Sequence, residues 1–170
     1  MTQEFGKEKL LQRVHADQCQ IASIAKWMYE KYGDEPLDII RENNFKDRVK
    51  TFTAVAKQMG IPIGEGGLED WLKMQKMLGE AGLLVMEQFS EPDRAVNRTT
   101  WCPLAQACKD IFPDYCRKIA IGTERAMAYV VNPDLEVHVD CYIPEGATHC
   151  DVVCQWKPGK KPRAKAATKR

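Results

Sequence analysis

The 170-residue chain lacks long apolar runs, a net charge of any size, paired C-x-x-C cysteines and more than three histidines. Each absence removes a class of function. No stretch approaches the roughly 20 apolar residues that span a bilayer, so no membrane partner is expected. The first residues, "MTQEFGKEKLLQRV", are polar with acidic positions and no apolar h-region, which excludes a secretory signal and points to a cytoplasmic protein. Thiols are kept reduced there, so disulfides are not expected. A net charge of +1 supplies no overall field toward nucleic acid. Basic residues gather only in "KPGKKPRAKAATKR", residues 157–170, a tail too polar to offset its ordering entropy and expected to be disordered. Weak nucleic-acid contact by that tail is the minority reading. The sequence also contains no internal repeat.

What is present is an ordinary globular composition, 44% hydrophobic and 29% charged. Apolar residues recur at helical spacing over 6–32 (Leu10, Leu11, Val14, Ile21, Ile24, Ala25, Met28), and Gly33 stops the pattern. Asp34 and Pro36 open a second helix, whose apolar positions are interrupted around "ENNF" and which Gly60 and Pro62 end. "LEDWLKMQKMLGEAG" predicts a third, with Trp71, Met74 and Leu78 inward.

From residue 83 the period changes. "LLVMEQF" (83–89) and "RAVNRTTWC" (94–102) predict strands around the turn "SEPD", and Pro103 opens a short helix. "YCRKIAIGTERAMAYVVN" predicts a further helix, with Glu124 and Arg125 on a solvated face or in a structural ion pair. Residues 135–143 and 149–156 alternate and can pair as a hairpin. The expected architecture is one α+β domain over 1–156. A helical half (1–82) precedes a cysteine-rich half (83–156) in which a small antiparallel sheet carries helical insertions.

Seven cysteines in a chain without an export signal ask for a chemical reading. Strand alternation places Cys141, Cys150 and Cys154 on one face of the hairpin, with His138, Asp140, His149 and Asp151 on the other. On that pattern His138 and His149 could face one another. Structural zinc wants four thiolate or imidazole ligands, usually in close pairs. Cys150 and Cys154 have acceptable spacing, Cys102 and Cys108 are loose, and no spacing suits an iron–sulfur cluster. No cofactor is predicted; if zinc or iron were held, Cys141, Cys150 and Cys154 would be the ligands. A catalytic thiol needs a base or a helix dipole to become thiolate. Cys102 stands at the mouth of the helix that Pro103 opens, where a dipole would lower its pKa. For any single cysteine, burial as a small apolar residue is the competing reading.

The ending "GATHCDVVCQW", with Gly146, Cys150 and Asp151, and the upstream "CKDIFPDYC" are similar to segments of the L-2-amino-thiazoline-4-carboxylic acid hydrolase-like family. The likeness covers about residues 95–156. Val152 departs from the commoner aromatic after "CD", and Cys141 and Cys154 are additional. The resemblance implies hydrolytic ring opening at a carbon–nitrogen bond of a cyclic amidine or thiazoline. Cys150 or Cys102 would attack or Asp151 would activate water, with Cys116 and His138 as weaker candidates. The same ending also resembles 4-vinyl reductase-type small-ligand domains, which implies a sensor holding a small molecule or metal. Either reading takes a small molecule as partner, and homo-oligomerisation is left open.

Overall fold

A computed structural model describes residues 2–82 and 84–160. Three helices come first: α1 (Thr2–Tyr32), α2 (Glu35–Gln58) and α3 (Leu68–Gly82). Strands β1 (Val85–Ser90) and β2 (Arg94–Trp101) follow, then α4 (Pro103–Ile111), a π-helical segment Cys116–Ala120 continuous with α5 (Ile121–Val131), β3 (Leu135–Val139), a 3-10 turn Ile143–Glu145 and β4 (Cys150–Trp156). The arrangement is α+β, with a helical N-terminal half and a four-stranded antiparallel sheet in the order β1-β2-β4-β3. Among the described residues no helix is long and apolar enough to cross a membrane.

The apolar pattern lapses at "ENNF", and α2 runs through it without a break. Asn43 and Asn44 are exposed, while Phe45 and Val49 pack against the core, so tertiary burial overrides the weak helix propensity of the asparagines. Pro36 lies in the first turn, and Asp34 occupies the cap position without capping. Its carboxylate pairs instead with Lys118, ahead of α5.

One face of the sheet packs on α3 and α5. Alternation turns Ala95, Asn97 and Thr99 of β2 inward, opposite Cys154, Val152 and Cys150 of β4. Val137 and Val139 of β3 complete the layer opposite Cys154 and Val152. Trp71, Met74, Ala126, Met127 and Val131 pack beneath it in the larger of two cores, with α2 behind α5. The smaller core joins Ala22 and Ala25 of α1, Leu37 of α2 and Cys108 of α4 to Phe112, Tyr115 and Ile119. Glycine is required at Gly66, where an added Cβ would stand 2.8 Å from Val131 Cγ1 and 3.1 Å from the Pro62 carbonyl oxygen.

Of the basic tail, residues 161–170 lie outside the described residues. Its first part turns back on the start of β3, where the Lys157 N–H donates to the Asp134 carbonyl at 2.9 Å and Lys160 pairs with the Asp134 carboxylate at 3.3 Å.

Candidate functional site

Between the inner face of the sheet and the α4–α5 side lies a cavity of about 120 Å³. Thr99, Val139, Cys150 and Val152 form its sheet wall. Cys102, Leu104 and Ala105 come from the start of α4, Cys116 and Ala120 from the π-helical segment, and Ile121 and Glu124 from α5. Leu84 and Tyr142 contribute from the sheet margins. The lining is mostly aliphatic, with three thiols and one carboxyl. Capacity matters here: dry protein cavities of ~150 Å³ accept benzene, so this space matches a single-ring molecule and little more.

Three of the five residues that sequence reasoning nominated as catalytic, Cys102, Cys116 and Cys150, lie on this cavity. Each thiol is pushed toward its neutral form. Burial raises Cys150 to about 12, although the Ile143 N–H donating to its sulfur at 3.2 Å acts the other way. Cys116 is raised by its contact with the Cys108 thiol and by burial. Cys102 occupies the cap position of α4 in extended conformation, as Pro103 dictates, but its expected activation by the helix does not follow. Desolvation lifts it to about 11 and outweighs the opposing N–H groups of Ala105 and Leu104. A helix terminus lowers a thiol pKa only when the resulting thiolate is adequately solvated or paired.

Asp151 and His138 are placed on the opposite face of the sheet. Arg98 donates to Asp151 through Nε at 2.8 Å and through a terminal nitrogen at 2.7 Å, a bidentate pair that holds the carboxyl pKa below its ordinary value. His149 Nε2 lies 3.5 Å from the same carboxylate, and His138 sits 3.2 Å from Asp140. The two histidines do not face one another: the register sets His138 opposite Val153.

The predicted convergence of Cys141, Cys150 and Cys154 also breaks. β3 ends at Val139, so Cys141 lies beyond the alternating segment, and its thiol donates to the His149 carbonyl at 3.3 Å. Cys150 and Cys154 are four residues apart on one strand, roughly 13 Å, a span that no single ion bridges. Cys154 is buried in the main core. Among the described residues the metal-ligating types that do come together are Cys141, His149 and Asp151, whose donor atoms lie within 4.8 Å of one another. Arg98 already occupies both oxygens of that aspartate.

Glu124 is the residue that sequence reasoning misread. Rather than a solvated position, it is half-buried on the cavity lining, where burial raises its pKa against the opposing hydrogen bond from Gln75. Gln75 Nε2 donates to Glu124 Oε2, and Gln75 Oε1 accepts from Asn97 Nδ2 at 3.3 Å. Gln75 and Asn97 are 1% and 2% exposed, so a polar relay runs from the half-buried Glu124 of α5 through α3 to β2 in the interior. The signal existed in the pattern: Ile121, Glu124, Ala128 and Val131 follow one helical stripe, and so do Trp71, Met74, Gln75 and Leu78.

No known protein family and no curated protein sequence matches the chain. Solved structures do. The fold is similar to the crystal structure of the phenol-responsive sensory domain of the transcription activator PoxR with phenol, at a TM-score of 0.63 and 12% sequence identity. The match covers 82% of this chain and 74% of that one. At that identity the likeness is one of fold.

Proposed function

We propose that this protein is a small-ligand-binding domain of the sensory type, with the cavity beneath the sheet as its binding site. The single observation that carries the reading is a ring-sized, mostly apolar space with one half-buried carboxyl on its lining. Such a space, walled by aliphatic side chains and carrying few directional groups, is how proteins bind compact organic molecules. The shared fold with a phenol-responsive sensory domain supports the same reading.

Thermal unfolding of the full chain with single-ring compounds tests it. A ligand at a hundred times its Kd stabilises by about 2.7 kcal/mol, an easily read upward shift in Tm. The Ala120→Leu variant, which fills the cavity from the π-helical wall, should lose the shift. Absence of any shift across phenols, anilines and alkylbenzenes, or a shift undiminished in Ala120→Leu, would overturn the proposal.

Ring-opening hydrolysis is the second reading, favoured because Cys102, Cys116, Cys150 and a proton-transferring carboxyl share the cavity. Against it, burial keeps the first and last of these thiols at about 11 and 12, and Asp151 points away from them. Turnover of a cyclic amidine or thiazoline, abolished by Cys150→Ala, would establish the hydrolase. Saturable binding of such a compound without turnover would favour the sensor.

A further inference from the structure

We infer that Glu124 is the specificity-determining residue of this cavity and selects compact apolar molecules that present a neutral O–H or N–H donor and carry no negative charge. The inference rests on the ligand-binding reading above and deepens it.

Among the described residues, Glu124 is the only carboxyl that lines the space, and no lysine, arginine or histidine lines it. The other polar groups there are the Thr99 and Tyr142 hydroxyls and three thiols, and thiols hydrogen-bond weakly. The orientation of the carboxyl is fixed from behind. Asn97 donates to Gln75 Oε1, which leaves Gln75 Nε2 directed at Glu124 Oε2. A carboxyl has about four lone-pair positions, and the relay takes one of them. Glu124 lines the cavity, and among the described residues only its Oε2 has a hydrogen-bond partner, which leaves the acceptor capacity of Oε1 unspent.

Three consequences follow for an occupant. A donor on the ring satisfies Oε1 directly and replaces whatever solvates it. A ring without a donor displaces whatever solvates that oxygen and gives nothing back, a penalty corresponding to about 10- to 100-fold in affinity. An anionic ring donates nothing to that oxygen and brings its own charge into an apolar space in which no cation lies among the described residues, so it is rejected more strongly still.

The test uses the full-length protein and isothermal titration with phenol and aniline, their donor-free counterparts toluene and fluorobenzene, and benzoate. Phenol and aniline should bind at least 10-fold more tightly than toluene or fluorobenzene, and benzoate should not bind. Glu124→Gln keeps the shape of the side chain and the bond to Gln75 while removing the charge, so it should admit benzoate. Glu124→Leu removes the acceptor and should reduce the preference for phenol over toluene to about twofold or less. Circular dichroism on both variants verifies that they fold, and Glu124→Gln alone decides the charge question if Glu124→Leu does not. Equal binding of phenol and toluene by the parent protein, or exclusion of benzoate that persists in Glu124→Gln, would overturn this inference while leaving the cavity a binding site. If no member of the panel binds, the ligand-binding reading itself falls.

Discussion

Cys150 and Asp151 are neighbours in the chain and belong to opposite worlds. The first faces a mostly apolar cavity in which burial suppresses ionisation; the second faces outward, where an arginine fork and solvent favour it. The same contrast runs across the whole sheet. Its inner layer is Ala95, Val137, Val152 and Cys154, with Asn97 tied into an interior relay, whereas its outer face carries Arg98, His138 and Asp151. Charged groups gather on the outside, and the inside is left mostly apolar. The one exception, Glu124, is informative because it is the one carboxyl on that cavity.

The strongest way to test the contrast is to remove one aromatic from each side. Trp71, fully buried under the inner face, should cost ~3–5 kcal/mol when changed to alanine, read by urea denaturation. Phe89 is 43% exposed with the Arg98 guanidinium 5.3 Å from its ring centre, and its change to alanine should cost less than about 1 kcal/mol. Comparable losses would mean that the outer face is not the solvated one.

Thiol reactivity should separate next. A thiol held near 12 rather than at an ordinary 9 has about a thousandfold less thiolate at neutral pH. Mapped by mass spectrometry, alkylation of Cys150 by iodoacetamide at pH 7.5 should therefore be about that much slower in the native protein than in urea. Fast native labelling of Cys150 would revive the nucleophile.

Glu124 sets a smaller, pH-dependent effect. Its folded pKa is raised, so between the unfolded value and the folded one the native state holds more protons and stability falls as pH rises. Glu124→Gln should abolish that decline, and its stability relative to the parent should improve from pH 4.5 upward in denaturation series. Asp151 works with the opposite sign and least strongly. Its folded pKa is lowered, so its contribution is present above the ordinary carboxylate range and is lost as pH falls through the folded pKa. Asp151→Asn should then be less stable than the parent at pH 7 and converge with it in acid.

Much of the fold was legible because it follows from local chemistry. Pro103 opens α4, the alternating stretches pair as β3 and β4, and the change of period after residue 82 marks the start of the sheet. The cavity cysteines were legible as residues but not as a set. Cys102, Cys116 and Cys150 come from a helix cap, a π turn and a strand, and nothing in their spacing says that they meet. Cys141 was misassigned because alternation was extended to residue 143, four residues past the true end of its strand at Val139. Glu124 was misread because a charged residue was taken at its average preference for water, although its helical stripe was apolar above and below it.

The widened turn at Cys116–Ala120 carries one more lesson. Such a turn holds a surplus residue relative to regular helical pitch. Shortening the chain there by a single residue would restore that pitch and rotate everything before it by about 100° relative to α5. Cys116 would swing off the wall while Ile121 and Glu124 stayed in place. Relatives with or without that extra residue would thus differ in the shape of the interior they offer a guest, with no other position needing to change.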